Sequence, residues 1–217
     1  MLLKRLGRLS KLVSMWKFVP NILTFARLGL TIVFLLMILY SPRVAHPLLF
    51  LDIAFILFLI AAITDVVDGL VARRYNATSK LGRIIDPLVD KVLVCGAFIC
   101  FAVIGLPEFF NWRPGTLTVI RWSVAAILIV REAYVTVLRH IAEARGINFA
   151  AVTLGKVKMF IQSIAIGVVL VETAHLRTIM WAQWVTLIIL TLMVVVTVAS
   201  GLQATRRPRS VTQLIEG

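Results

Sequence analysis

The sequence predicts an all-α polytopic membrane protein, with six transmembrane helices and an amphipathic helix on the membrane surface before them. Three observations carry that expectation. Hydrophobic residues make up 60% of the 217, and the mean hydropathy is +0.98. Apolar runs of about 20 residues, the length a helix needs to cross a bilayer, recur along the chain. The 23 lysines and arginines, against 10 acidic residues, sit mostly in the flanks of those runs. The net charge of +13 is therefore membrane patterning and excludes nucleic acid as the partner. A chain of this length would otherwise be one or two soluble domains. With no repeat or long linker it reads as one membrane domain, residues 19–203, between an N-terminal arm at 1–18 and a basic tail at 204–217.

The arm reads LLKRLGRLSKLVSMWKFV. Leu2, Leu6, Leu9, Val13 and Trp16 recur at helical spacing, with Lys4, Arg5, Arg8, Lys11 and Lys17 on the other side. Such a helix suits an anionic membrane surface. A signal peptide is the competing reading, but the following apolar run is too long and lacks a small-residue cleavage site. The first span begins at Pro20 and runs to about 40. Its opening PNILTFAR places Asn21 and Thr24 on one face near the membrane boundary, with Arg27 a turn further on. Arg27 is either a snorkelling cation or a ligand-binding one. Residues 41–47 have turn composition.

The second span covers about 48–72. The third begins between Gly82 and Pro87 and ends near 105. Asp86 precedes a proline, which pushes it out of helical geometry or marks a kink. Residues 106–117 form a short loop with two prolines and interfacial aromatics. The fourth span, near 118–140, carries Arg131, Glu132 and Arg139; the fifth covers about 151–172 and the sixth about 178–201. Cys95 and Cys100 share one apolar helix five residues apart, which suits core thiols and not a disulfide or a metal site. Basic residues concentrate in the arm, in 73–91, in 139–158 and in the tail, whereas the alternate loops hold Arg43, Arg113 and Arg177. Six spans put every basic segment on the cytoplasmic side.

One stretch does not belong in lipid. Residues 65–91 read DVVDGLVARRYNATSKLGRIIDPLVDK, with carboxylates at Asp65, Asp68, Asp86 and Asp90. On helices the first two are i,i+3 neighbours and the last two i,i+4, so each pair shares a face. Four bare carboxylates at a membrane boundary repel one another and need a positive partner. Oxygen ligands of this hardness suit Mg²⁺, Mn²⁺ or Ca²⁺. Gly69 and Ala72, small residues on the face of Asp65, let a ligand approach the backbone, and Arg73 offers a planar fork for phosphate. Metal and arginine together at a membrane surface point to phosphoryl transfer involving a lipid.

The spacing D-x2-D-G-x2-A-R-x8-G-x3-D-x3-D, from Asp65 to Asp90, resembles the signature of the CDP-alcohol phosphatidyltransferase family at each of its eight fixed positions. That resemblance implies a six-helix membrane enzyme of the bacterial inner membrane, homodimeric, with its active site at the cytoplasmic face. Such an enzyme moves a phosphatidyl group from CDP-diacylglycerol to an alcohol and releases CMP. By motif match Asp65, Asp68, Asp86 and Asp90 bind two Mg²⁺ or Mn²⁺ ions, and Asp90 is also the general base. Asn21, Thr24, Gly69, Ala72, Arg73, Ser79 and Gly82 hold CDP-diacylglycerol. The stretches PNILTFAR, REAYVTVLR and GKVKMFIQ resemble those of members that use glycerol 3-phosphate, with Arg131, Arg139, Lys156 and Lys158 receiving its phosphate. Met159 and Val89 depart from the family, which often has Thr and Ala there. Arg131 lies about 12 Å of helix rise before its span's end; as it projects about 100° from Glu132, the two are not expected to pair. Phosphatidylglycerol or inositol phosphate as acceptor remains open, and so does a cation channel or transporter, for which the glycine, alanine and arginine in register with the acids have no use.

Overall fold

The computed structural model describes residues 19–75, 80–145 and 153–205, with side chains from Thr24 to Thr64, at Ile85, from Pro87 to Arg145, at Gly155 and from Val157 to Thr205. Among the described residues there is no strand. Six long helices follow one another: α1 (Val19–Tyr40), α2 (Pro47–Tyr75), α3 (Lys80–Ile104), α4 (Pro114–Ala144), α5 (Thr153–Val171) and α6 (Met180–Thr205). Each expected span is found as a helix. The expected surface helix at 1–18 lies outside the described residues, as does the tail from 206. Five of the six helices, all but α4, are long and apolar enough to cross a membrane. The chain is an integral membrane protein by that measure. Helix α4 carries Arg121, Arg131, Glu132, Arg139 and Glu143 along its length.

The expectation for the start of α3 is corrected. The helix begins at Lys80, before Gly82, and carries both Asp86 and Pro87 inside it. Proline about two turns into a helix forfeits one backbone hydrogen bond, to the carbonyl four residues earlier, but its φ is already helical. The preceding-residue restriction is a preference, and here the helix on either side overrides it.

The chain divides into two compact units, Met1–Leu93 and Val94–Gly217. In the first, a short 3₁₀ turn at Ser41–Arg43 turns the chain from α1 into α2, as short loops between neighbouring helices do. The stripe Thr24, Arg27, Thr31, Phe34 and Ile38 of α1 is buried, and so is Leu51, Ala54, Phe58 and Ala61 of α2. Both stripes step by three and four residues, the geometry of one helix face. Phe34 and Phe58 meet with ring centroids 5.7 Å apart. Large apolar side chains such as Ile32, Leu36, Ile56 and Ile63 point outward. That is the arrangement lipid favours, because lipid tails do not drive apolar residues inward, while polar side chains do better inside.

In the second unit α6 packs against both α5 and α4. A π-helical turn at Glu172–Leu176 ends α5. The buried stripe of α6 is Ala182, Thr186, Leu190, Met193, Thr197, Ser200, Gly201 and Ala204, dominated by small and hydroxyl residues. Such residues let membrane helices approach closely. Gly105, at φ +80°, closes the end of α3 in a conformation that glycine adopts without strain. The loop that follows is tied down. Phe110 N–H donates to Gln183 Oε1 at 2.8 Å, Arg121 donates to the Pro107 carbonyl at 2.7 and 3.0 Å, and Arg177 pairs with Glu108. Cys95 and Cys100 are not joined in a disulfide, and Cys100 is buried.

Candidate functional site

The acidic segment falls on two successive helix ends. Asp65, Asp68, Gly69, Ala72 and Arg73 lie on the last turns of α2, which runs to Tyr75, and Gly82 and Asp86 on the first turns of α3, which starts at Lys80. Asp90 follows Asp86 by about one turn of α3. The two acidic pairs lie on helix ends linked by residues 76–79, and each pair shares a helix face as its spacing requires. Ser79 falls outside the described residues, as do the side chains of Asn21, Asp65, Asp68, Ala72, Arg73, Asp86 and Lys156.

Asp90 is the one aspartate of the four whose side chain is described. Its Oδ1 lies 3.7 Å from Nη1 of Arg27, and its side chain keeps 29% of its surface exposed. Arg27 is 2% exposed and Thr24, one turn earlier on the same stripe, 4%. A guanidinium at that depth needs a counter-charge, and Asp90 supplies it. Arg27 is thus an inward-facing partner of the acidic motif and not a snorkelling flank. The signal was present in the sequence: Thr24, Arg27 and Thr31 follow the same three-four step as Phe34 and Ile38.

The second unit holds its own charged cluster. Arg131 Nη1 donates to Glu132 Oε1 at 3.0 Å, and the Lys158 ammonium donates to that same oxygen. The expectation that Arg131 and Glu132 would not pair is therefore wrong. Their Cβ atoms diverge, but both side chains are long, and Glu132 turns towards Lys158 on α5 where the guanidinium can wrap to it. Lys158 is 5% exposed, so it is no mere flanking charge. Of the four basic residues singled out for a phosphate, Arg131 and Lys158 are brought together through Glu132. Arg139, two turns beyond, is exposed.

In the same unit several buried polar atoms have no hydrogen-bond partner among the described residues, Arg131 Nε, Gln162 Nε2 and Thr197 Oγ1 among them. Gln162 follows Lys158 by one turn of α5, on the buried face. Glu132 as the bridge and Gln162 as a buried donor were missed from sequence. For Gln162 the i,i+4 spacing from Lys158, continued by Ile166, marked a common face.

Carboxylates on adjoining helix ends form a donor set that suits a hard divalent cation. Among the described side chains alone, no group of three or more such ligands occurs; the donors of Asp65, Asp68 and Asp86 lie outside that set.

Comparison with known proteins adds the following. The family model described as CDP-alcohol phosphatidyltransferase matches residues 17–204. A protein of Mycobacterium tuberculosis named "Probable phosphatidylglycerophosphate synthase" is 37% identical over 148 residues, 68% of this chain and 63% of the relative. The match thus spans less than two thirds of that relative's length. The Bacillus subtilis protein named "CDP-diacylglycerol--glycerol-3-phosphate 3-phosphatidyltransferase" is 34% identical over 70% of this chain and 76% of its own. A Shigella flexneri protein of the same name is 31% identical over 85% of this chain and 91% of its own.

Proposed function

The chain belongs to the CDP-alcohol phosphatidyltransferase family, and from that premise we propose that it transfers the phosphatidyl group of CDP-diacylglycerol to sn-glycerol 3-phosphate, yielding phosphatidylglycerophosphate and CMP. The observation that carries this reading is the acidic motif itself. Its first seven fixed positions lie on the end of α2 and the start of α3, and its last aspartate pairs with buried Arg27. The names of the similar bacterial proteins support glycerol 3-phosphate as acceptor.

Asp65, Asp68, Asp86 and Asp90 would hold the divalent ions, two Mg²⁺ or Mn²⁺, in keeping with a metal-dependent family. When bound, these ions supply charge neutralisation to the pyrophosphate and to departing CMP. The protein's own groups do the rest. Arg73 and the hydroxyl of Ser79 bind the cytidine diphosphate, and Gly69, Ala72 and Gly82 leave room for it beside the backbone, with Asn21 and Thr24 contributing from α1. Asp90 takes the proton from the attacking hydroxyl of the acceptor. A new P–O bond forms to the phosphorus that carries the diacylglycerol, and the bond from that phosphorus to the CMP phosphate breaks, with CMP keeping the electron pair. Arg27 keeps the Asp90 carboxylate in place between these events. Arg131 and Lys158, with Arg139 and Lys156 as further cations, hold the acceptor's phosphate. The enzyme works as a homodimer in a bacterial inner membrane, its site at the cytoplasmic face where the basic segments lie.

Asp→Asn substitution at positions 65, 68, 86 and 90, one at a time, tests this. Each change keeps size and removes a charge, so CMP release should fall by more than about tenfold in every variant, while membrane insertion persists. Chelation of divalent ions should abolish activity and added Mg²⁺ restore it. Near-normal turnover in any one variant removes that residue from the site.

A further inference from the structure

Glycine is a poor helix former, yet Gly201 sits inside α6 and is buried. The facing helix supplies a steric reason. A Cβ at position 201 would stand 3.3 Å from Cγ of Arg131, closer than ordinary van der Waals contact. Further along both helices, the Tyr134 and Thr205 hydroxyls lie 3.0 Å apart, and Thr205 Oγ1 donates back to the Gly201 carbonyl at 3.1 Å. The line from Arg131 and Gly201 to Tyr134 and Thr205 is thus a seam between α4 and α6. The stem of Arg131 lies in the space a side chain at 201 would fill.

The head of the same arginine is fixed from the other side. One N–H goes to Glu132, whose oxygen also takes the Lys158 ammonium. Lys158 is thereby engaged, whereas the Nε of Arg131 meets no hydrogen-bond partner among the described residues. Two cations against one carboxylate leave this buried cluster with a net positive charge, and an oxyanion would complete it.

We propose that Gly201 is a positioning residue for Arg131: the missing Cβ lets the guanidinium rest at the level where, tethered by Glu132, it takes the phosphate of the acceptor. This rests on the reading of glycerol 3-phosphate as acceptor given above. Gly201 touches no substrate itself and acts through Arg131.

The test is a mutant cycle on the full-length enzyme in detergent, with Michaelis constants for both substrates measured in wild type, Gly201→Ala, Arg131→Ala and the double variant. Gly201→Ala should raise the KM for glycerol 3-phosphate by about fivefold or more, since sub-ångström misplacement of a binding group is felt strongly. The KM for CDP-diacylglycerol should stay within about twofold of wild type, and Gly201→Ala should have no further effect once Arg131 is alanine. An unchanged KM for glycerol 3-phosphate, an equal rise for both substrates, or full additivity with Arg131→Ala would overturn the proposal. If Gly201→Ala alone is not recovered folded, recovery of the double variant supports the contact, and loss of both overturns it. A wild type with no transfer to glycerol 3-phosphate defeats the proposed function and this inference with it. An active wild type indistinguishable from Gly201→Ala defeats the inference alone.

Discussion

Arg27 shows how much a single buried charge constrains. Its guanidinium is 2% exposed and stands 3.7 Å from a carboxylate that is itself partly open. Removing a buried member of such a pair leaves its partner uncompensated, which costs about 3 kcal/mol or more when both are deeply buried. Asp90 keeps some exposure, so Arg27→Met should cost somewhat less than a fully buried pair, about 2–3 kcal/mol. In the Asp90→Asn background the same change should cost much less, because the charge it would strand is already gone. Denaturant unfolding of the four proteins in detergent checks this; equal costs in both backgrounds would show that the pair contributes nothing. At this scale the sequence was partly legible. The aspartates announced themselves by spacing, and Arg27 by its place on a stripe shared with Phe34. The bridge at Glu132 was not legible, because Cβ directions say where a side chain starts and not where a long one ends.

At the scale of elements, α1, α2 and α6 begin within a residue or two of where hydropathy put them, since apolar length is the physical requirement for a span. The errors lie where local chemistry and helix continuity disagree. The expected start of the third span lies between Gly82 and Pro87, yet helix α3 already begins at Lys80 and carries Pro87 inside it. The expected 106–117 loop ends at Arg113, because Pro114 is suited to a helix's first turn. Helix α4 departs most from a plain span, carrying a charged cluster within its length. Helix α2 runs on to Tyr75, and its last turns hold Asp65, Asp68 and Gly69. If the nucleotide lies against that end, Gly69→Leu should raise the KM for CDP-diacylglycerol at least about tenfold, as steric exclusion from a close approach does. The melting temperature should scarcely move. A large drop in melting temperature with the KM unchanged would mean that Gly69 serves helix packing.

For the whole molecule, the outward-facing apolar side chains and inward-facing threonines, arginines and lysine describe a protein whose solvent is lipid. In the proposed function the basic segments and the acidic motif share the cytoplasmic side of the membrane, where nucleotide-activated lipid and a water-soluble acceptor can meet. The most direct measurement is CMP release from labelled CDP-diacylglycerol by the purified full-length protein with Mg²⁺. Glycerol 3-phosphate, phosphatidylglycerol, inositol phosphate and glycerol are offered in turn, and the lipid product is identified by mass. Release should depend on both the divalent ion and glycerol 3-phosphate, with phosphatidylglycerophosphate as the product. Glycerol, which lacks the phosphate, should support at most about a hundredth of that rate, as loss of a charged contact or two predicts. Phosphatidylglycerol and inositol phosphate should give slower release than glycerol 3-phosphate. Equal or faster release with phosphatidylglycerol or inositol phosphate, or release that ignores the metal, would contradict it.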